Sequence, residues 1–525
     1  MICPPKALFS CLLGIAAAVL TACGGGGGGG SAPAGTTSSS PPGWVSGQFS
    51  PSTTFAAMCV TPRSGIDPAT QQPYPDHAGT ALEEKNWLRS WTNDLYLWFS
   101  EVPDQDPAGF ASDATYFDAL KTSATTASGK LKDRFHFTYP TATWEALSQS
   151  GVLAGYGAIF VIIAATPPRD VVVSYTEPGS PAAVTPASIA RGAHILTIDG
   201  VDLVNANDQP SINTLNAGLA PQSVGESHTF SIMDLGAAAP RTVTLVSANV
   251  TETPVQNVQT LPSAAGGPVG YMLFNDHIAT AESELIAAFN QLKSAGVQDL
   301  VLDIRYNGGG YLDLASEVAY MIAGPGPTAG QTFDLQQFNS KNPTINPVTQ
   351  SAITPMGFHT TTQGFILPAG QALPSLNLAR VFVITTASTC SASEAIINSL
   401  QGINVQVIQI GSTTCGKPYG FYPADNCAVT YFSIQFQGVN AKNFGNYPDG
   451  FTPANTVATE GVLVPGCSVA DDFTHSLGDP AEGLLASALS YAATGACLVP
   501  PRGVNGVAIK SLWRTNRIYR PASAM

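Results

Sequence analysis

The chain has 525 residues, enough for about three folded units at roughly 100–200 residues per domain. Hydrophobic residues make up 44% of the chain and charged residues only 11%, so it can bury a large core, and global disorder is disfavoured. The formal net charge of −14 disfavours nucleic acid as a partner, because an acidic surface repels phosphate groups.

Residues 1–22 have the pattern of an export signal. Lys6 precedes an apolar run that is short for a membrane span of about 20 residues. The sequence Leu-Thr-Ala-Cys that ends at Cys23 resembles a bacterial lipobox, which implies cleavage before Cys23 and lipid on its thiol and amine; a plain signal peptide is the alternative. Residues 23–55, rich in Gly, Ser, Pro and Thr, are predicted to form a lipidated flexible linker.

These features predict a lipoprotein of the cell envelope that faces the periplasm and meets the membrane through its N-terminal lipid. By resemblance to other lipoproteins, Gly24 in place of an acidic residue favours the outer membrane. Beyond the leader and Cys23, six cysteines remain, an even number that predicts up to three disulfides in an exported protein. The absence of a CxxC motif and of a Cys/His cluster argues against a metal site.

Residues 56–148 are predicted to form a helical N-terminal domain. In EEKNWLRSWTNDLYLWF, the side chains of Trp87, Trp91, Leu95 and Trp98 recur at spacings of four, four and three, as on one apolar face of a helix. We interpret them as an aromatic stripe of the core, since nothing indicates a cofactor site.

Residues 149–255 change to alternating apolar runs that are typical of β-strands. The segment EPGSPAAVTPASIARGAHILTIDGVDL resembles a PDZ domain. The resemblance implies that Gly155, Tyr156 and Gly157 form a carboxylate-binding loop, whose backbone N–H groups hold the C-terminus of a peptide. A small β domain without a ligand is the alternative.

Residues 256–500 alternate between strand and helix patterns, which predicts an α/β domain with mainly parallel strands, because strand–helix–strand succession requires crossovers. Ligand sites in such sheets lie beyond the carboxyl ends of the strands. One strand runs into Asn307-Gly308-Gly309-Gly310, the next into Ser388 to Glu394, and a third into Gly411 to Lys417. If these strands are neighbours, a glycine turn, a serine cluster and a lysine meet at one edge.

Each of these parts has a use in acyl transfer. A serine hydroxyl needs a base, and a lysine can serve as that base only when burial lowers its pKa enough to keep it neutral. Glycines let backbone N–H groups approach a developing oxyanion, and a helix start adds a further donor. Asp303 and Arg305 are interpreted as pinning the end of a strand rather than as reacting groups.

The motifs LDIRYNGGG, TCSASEAI and GSTTCGKPYG, in this order after a PDZ-like segment, resemble the C-terminal processing (tail-specific) serine peptidases. The resemblance implies Ser391 as nucleophile and Lys417 as general base, with the backbone N–H groups of Gly309 and Ala392 as oxyanion donors. It also implies a multidomain α/β architecture with a crotonase-like ββα core, polypeptide substrates, and no cofactor or metal.

One position departs from the family pattern. Family members often carry a glutamine four residues after the lysine, where this chain has Phe421. Gln435 or Gln437 could replace it from a following strand. A branch of the family uses a histidine, for which His277 is a candidate, although a structural histidine fits as well.

Two further hypotheses concern neighbouring residues. Cys390 and Cys415 adjoin the serine and the lysine, and we expect them to form a disulfide that ties the two segments together, with two buried free thiols as the alternative. Residues 501–525 are predicted only as a C-terminal tail.

The sequence therefore predicts an envelope serine endopeptidase with a Ser391/Lys417 dyad and a PDZ-like domain that docks substrate C-termini. The alternative is a weak or inactive peptide-binding lipoprotein on the same scaffold.

Overall fold

The computed structural model describes residues 44–262, 267–457 and 460–498, together with the backbone of 510 and 511. The predicted leader, Cys23 and most of the linker lie outside the described residues, as does most of the tail. No helix in these described ranges is both long enough and apolar enough to span a bilayer.

Three helices shape the N-terminal region: α1 (Ala81–Leu95), α2 (Asp113–Ala119) and α3 (Thr141–Ser150). Trp87 and Trp91 are buried on α1 and stack with their ring centroids 5.2 Å apart, as the core-stripe interpretation requires. The extension of that helical stripe to Trp98 is wrong, because α1 ends at Leu95. The backbone of Tyr96 is extended and its side chain is fully buried. Its hydroxyl donates to Asp133 at 2.7 Å, and this buried hydrogen bond favours the end of the helix at Leu95.

The N-terminal region is joined to the C-terminal half of the chain rather than standing apart from it. The strand Phe137–Pro140 pairs antiparallel with Val429–Phe432, and a disulfide links Cys59 to Cys427. Tyr431 completes the aromatic cluster around Trp87. The two regions therefore share one hydrophobic core.

A β region follows, with its own core around residues such as Phe160 and Phe230. Strands β2 to β6 form an antiparallel sheet in the order β6-β5-β4-β3-β2, and β1 pairs antiparallel with β7. The elements are β1 (Val152–Gly155), β2 (Ala158–Ala164), β3 (Asp170–Thr176), β4 (His194–Ile198), α4 (Gln209–Leu219), β5 (Ser227–Met233), β6 (Arg241–Val246) and β7 (Ala248–Thr251).

The C-terminal half is built on a six-stranded mixed sheet in the order β8-β9-β10-β11-β12-β13. The pair β8–β9 is antiparallel and the other four neighbouring pairs are parallel. The strands are β8 (Val255–Leu261), β9 (Val269–Phe274), β10 (Asp299–Asp303), β11 (Arg380–Thr385), β12 (Gln406–Gly411) and β13 (Gly466–Ser468).

Helices cover both faces of this sheet. Successive residues of β11 point to opposite faces: Val381 and Val383 join one hydrophobic cluster, and Phe382 and Ile384 join the other. The helices of the first face are α5 (Ala281–Ser294), α6 (Leu312–Ala323) and α7 (Ala392–Gly402), and α8 (Gly483–Thr494) lies on the second. The multidomain α/β prediction is confirmed, whereas the crotonase-like arrangement stays a prediction.

Short elements complete the fold. The two-residue segment Lys510–Ser511 pairs antiparallel with β2. The other strands are Thr332–Phe338, which has seven residues, and the shorter Met58–Cys59, His77–Ala78, Val201–Asp202, Met356–Gly357, Tyr419–Gly420, Ala424–Asn426, Phe436–Val439, Phe451–Pro453 and Val462–Val464. The short helices are Ser52–Thr54, Phe99–Glu101, Pro107–Gly109 and Pro325–Thr328.

Candidate active site

The three strand ends singled out in the sequence are neighbours. Strands β10, β11 and β12 are adjacent and parallel, so the glycine turn, the serine cluster and the lysine segment leave the same edge of the sheet. The turn and the serine segment are bonded directly, since the backbone N–H of Cys390 and the hydroxyl of Ser393 both donate to the carbonyl of Asn307 at 3.1 Å.

The glycine turn touches the predicted nucleophile. Gly309 has a φ of +94°, and a Cβ at this position would lie 2.7 Å from Cβ of Ser391 and 2.9 Å from the backbone nitrogen of Ala392. Only glycine allows this approach. The backbone N–H of Gly309 donates to Oδ1 of Asn307 at 2.9 Å, so in this structure that predicted oxyanion donor already has a partner.

Ser391 lies between β11 and α7 in an uncommon backbone conformation. Its φ of +60° and ψ of −116° belong to a region that costs a non-glycine residue about 1–3 kcal/mol. The surrounding bonds hold this geometry: the hydroxyl of Thr389 donates to Ile304 and the Ser391 N–H donates to Glu394. Strain of this kind clusters at functional sites.

Glu394 joins the serine segment to the lysine segment. Its fully buried carboxylate accepts the backbone N–H groups of Ser391 at 3.0 Å, Gly416 at 2.8 Å and Lys417 at 2.8 Å, and the hydroxyl of Thr414 at 2.5 Å. Burial raises the pKa of this carboxyl, while the four donors oppose the rise. One side chain thus fixes the spacing between the candidate nucleophile and the candidate base.

From the sequence, Glu394 was identified only as the end of the serine segment, and its bridging role was missed. A signal was present: Ala395, Ile396 and Ile397 follow the glutamate directly, which indicates a buried helix whose carboxylate needs hydrogen-bond donors.

The lysine side chain lies in a buried aromatic environment. Lys417 is only 3% exposed, and its Nζ lies 4.2 Å from the ring centroid of Phe421 and 5.3 Å from that of Phe135. Phe135 and its neighbour Arg134 come from the N-terminal region, and Arg134 donates to the carbonyls of Cys415, Gly416 and Pro448. No feature of the sequence indicates that the N-terminal region reaches the lysine.

The glutamines proposed as substitutes have other partners. The side-chain amide of Gln435 bonds the backbone N–H and carbonyl of Tyr422, and that of Gln437 donates to the carbonyl of Gly445. Phe421 therefore lies beside the lysine amine, while the side-chain amides of both glutamines bond to backbone groups elsewhere.

His277 lies behind the glycine turn. Its Nδ1 is 2.9 Å from Oδ1 of Asn307, and its backbone carbonyl accepts the N–H of Tyr311. Burial lowers the pKa of His277 to about 3, so the ring is neutral at ordinary pH. Because the same Asn307 oxygen accepts the Gly309 N–H, His277 orients the turn.

A buried ion cluster fixes the end of β10 just before the glycine turn. The fully buried guanidinium of Arg305 pairs with Asp303 at 2.7 Å, Asp471 at 2.7 Å and Glu482 at 2.8 Å. Arg191 of the β region also pairs with Asp471, at 2.7 Å. The interpretation of Asp303 and Arg305 as groups that pin the strand agrees with these contacts.

The expected disulfide between Cys390 and Cys415 is present, together with Cys59–Cys427 and Cys467–Cys497. It adjoins Ser391 on one side and lies two residues before Lys417 on the other. The backbone N–H of Cys415 also donates to the carbonyl of Thr389 at 3.0 Å. A second link therefore holds the two segments beside Glu394.

Replacing both Cys390 and Cys415 by serine is expected to lower kcat by about 10- to 100-fold, because small displacements of reacting groups are costly. Replacing Cys467 and Cys497 by serine is the matched control. Their disulfide joins residues 30 positions apart in the sequence, close to the separation of 25 between Cys390 and Cys415. Both variants should lose about 3 kcal/mol of stability. Equal loss of kcat in both would show that the first disulfide has no special role in the site.

The predicted peptide-binding loop is a tight turn at the start of β2. Gly157 has a φ of +71°, and a Cβ there would lie 2.2 Å from Cβ of Ser180. Tyr156 is buried, and the carbonyls of Tyr156 and Gly157 accept backbone N–H groups of Ala182 and Glu177. One edge of β2 pairs with β3, and the opposite edge pairs with Lys510–Ser511.

Comparisons with known proteins find similarity in the N-terminal region and in the C-terminal half of this chain. Residues 268–420 match the model of Peptidase family S41, and residues 83–139 match the Peptidase S41 N-terminal domain. A carboxyl-terminal-processing protease of Picosynechococcus is 29% identical over 279 residues, 52% of this chain and 56% of the relative. The chloroplastic C-terminal processing peptidase of Tetradesmus obliquus is 33% identical over 172 residues, 30% of this chain and 34% of the relative.

The chain thus spans about half the length or less of these relatives. Among solved structures, a protein from Bacteroides fragilis assigned to the S41 proteases superposes with a TM-score of 0.59 at 22% identity, over 81% of this chain and 100% of that one. At that identity the likeness concerns the fold alone.

Proposed function

We propose that this chain, whose residues 83–139 and 268–420 match the models of two domains of peptidase family S41, is a serine endopeptidase with Ser391 as nucleophile and Lys417 as general base. The observation that carries the proposal is the Glu394 carboxylate, which accepts the backbone N–H groups of both residues. If these residues served only to stabilise the fold, there would be no need for a serine with positive φ, a glycine turn in contact with it and a buried lysine at the same sheet edge.

In the proposed reaction, neutral Lys417 takes the proton of the Ser391 hydroxyl as the oxygen attacks the peptide carbonyl. The ammonium then gives that proton to the leaving amine, and the acyl-enzyme remains. Lys417 next deprotonates a water molecule, whose oxygen attacks the ester. The ammonium then returns that proton to Oγ of Ser391 as the ester bond breaks, so that the acid product leaves and both residues are restored.

The negative charge of each tetrahedral intermediate falls on the former carbonyl oxygen. The backbone N–H groups of Ala392 and Gly309 are the proposed donors to it. Since the Gly309 N–H donates to Asn307 in this structure, it must turn to the oxyanion or share its hydrogen with it during the reaction. No step needs a metal or a cofactor.

We further propose that substrates are polypeptides docked by their C-termini on the β region. An extended peptide would pair with the edge of β2 in place of Lys510–Ser511, with its carboxylate at the Gly155–Gly157 turn. The names of the relatives describe C-terminal processing, and we extend that activity to this chain. The leader and Cys23 support an envelope location with a lipid anchor.

Cleavage of one unfolded polypeptide with two different ends tests this function. A free apolar C-terminus should give a kcat/KM at least about tenfold higher than the same chain with an amidated end, because the loop then loses its charged ligand. Cleavage of both at equal rates would contradict docking by the C-terminus. No cleavage of either, with binding retained, would favour the alternative of an inactive binding protein, which Phe421 beside the lysine supports.

A further inference from the structure

We propose that Phe421 and Phe135 are positioning residues for the lysine base: they enclose the Lys417 amine in a dry pocket and face the charge that it acquires during the reaction. This inference rests on the proposed role of Lys417. It concerns the position at which the chain departs from the glutamine of its relatives.

The geometry is that of an amine between two aromatic rings. Nζ of Lys417 lies 4.2 Å from the ring centroid of Phe421 and 5.3 Å from that of Phe135, both within the range of cation–π attraction. Lys417 is 3% exposed and Phe421 only 1%. Bulk water therefore has little access to the amine.

The Phe421 ring is itself held in place. It packs edge-on against Phe432 at 5.2 Å and Phe137 at 5.8 Å, and those two rings stack at 4.3 Å. A ring locked in such a cluster cannot turn away from the amine without disturbing the core. The Phe421 ring is therefore a rigid part of the pocket around the Lys417 side chain.

The N-terminal region supplies the second wall. Phe135 follows Arg134, whose guanidinium donates to the carbonyl of Gly416 at 3.4 Å and to that of Pro448 at 3.1 Å. The guanidinium also stacks on the Phe135 ring at 4.7 Å. This anchoring explains why the N-terminal domain accompanies the peptidase domain: it completes the pocket of the base.

The two rings have opposite effects on the two states of the amine. Burial penalises the ammonium, which favours the neutral base that must accept the serine proton. Once the proton is transferred, the ring faces attract the ammonium and so stabilise the charge formed in the transition state. The desolvation cost of the ammonium is larger than its cation–π attraction to the two rings, because removing a cation from water costs more than contact with ring faces contributes.

Other charged or titratable groups surround the lysine segment. The carboxylate of Glu394 accepts the Lys417 backbone N–H, and Arg134 lies on the Gly416 carbonyl. The environment also includes Asp133, Tyr419, Tyr447 and Asp449, since each interacts electrostatically with Arg134 or Glu394. Replacing Phe421 leaves the contacts described for these groups in place, whereas replacing Phe135 also removes the ring on which Arg134 stacks.

Replacing Phe421 by leucine keeps an apolar side chain but removes the ring face. We expect kcat to fall by about 3- to 30-fold with little change in KM. Because the ammonium loses attraction, the lysine pKa falls, and the acid limb of kcat/KM should move to lower pH by roughly 0.5–1 unit. Phe135→Leu should act in the same direction and less strongly, since its ring is farther from the amine.

Two further variants keep the inference falsifiable. Phe421→Gln should recover kcat relative to Phe421→Leu, because an amide oxygen can accept a hydrogen bond from the amine. Phe333→Leu is the control for lost aromatic volume, since Phe333 is buried in the same core and contacts Phe358 rather than the lysine. All variants are compared by pH profile and by thermal unfolding.

The inference is overturned if Phe421→Leu changes kcat and the acid limb no more than Phe333→Leu, or if Phe421→Gln is no better than Phe421→Leu. The proposed function fails separately, if Lys417→Ala retains wild-type turnover. An inactive Lys417→Ala variant combined with an unaffected Phe421→Leu variant would leave the dyad standing and reject only the aromatic pocket.

Discussion

Alanine at position 391 is expected to lower kcat by about 10⁴- to 10⁶-fold, because no other hydroxyl takes the place of the attacking oxygen. The loss should appear without a fall in melting temperature, since the backbone N–H of residue 391 still donates to Glu394. Turnover of an unfolded polypeptide and thermal unfolding of the same preparation measure the two effects.

Lys417→Ala should cost nearly as much as Ser391→Ala, and the double variant no more than either, because residues that act as one unit are not additive. Ser393→Ala is the control within the serine cluster. Its hydroxyl donates to the carbonyl of Asn307, so we expect an effect on kcat of less than about tenfold. Retention of more than a tenth of wild-type kcat by Ser391→Ala would remove the nucleophile from the account.

Replacing Arg305 by methionine is expected to lower the free energy of unfolding by about 3–5 kcal/mol. The guanidinium is fully buried among Asp303, Asp471 and Glu482, so its removal leaves acidic groups without a counter-charge in the interior. Urea unfolding of the oxidised protein, followed by fluorescence, gives the difference.

Arg380→Met is the matched control at the opposite end of the same sheet. Arg380 pairs with Asp299 at 2.6 Å, but its side chain is 38% exposed, so the loss should stay within about 1 kcal/mol. Similar losses for the two arginines would mean that the buried cluster does not fix the end of β10.

The position of the site was predictable because it depends on chain order and strand composition. DLVLDIR, ARVFVITT and VQVIQIG are continuous apolar runs separated by helices, which places their carboxyl ends together once the crossovers are parallel. The resemblance to the C-terminal processing peptidases, drawn from three short motifs, is confirmed by the family match over 268–420. The disulfide between Cys390 and Cys415 is also confirmed.

The contacts that hold the site were not predictable in the same way. Glu394 bridges to residues about 20 positions later, and Phe135 reaches a lysine 282 positions beyond it through Arg134 and Gly416. Such contacts depend on how separate elements pack against each other. The periodicity of a single sequence predicts the individual helices and strands, but it does not predict which side chains meet between them. Trp98 was misplaced for a related reason, since the buried Tyr96–Asp133 bond ends α1 where local spacing would continue it.

The predicted PDZ-like docking, the lipid on Cys23 and the roles of Ser391, Lys417, Gly309 and Ala392 remain proposals. The roles of the four site residues depend on one claim, which is that Ser391 forms a covalent acyl intermediate. The deacylation steps of the proposed mechanism require that covalent bond.

The most direct measurement is peptide-resolved mass spectrometry of the enzyme after reaction with a serine-reactive peptidyl phosphonate. The account predicts one adduct per chain, located on Ser391, absent from Ser391→Ala and strongly slowed in Lys417→Ala. An adduct on a different residue that coincides with loss of activity, or substrate turnover that continues after full modification of Ser391, would contradict it.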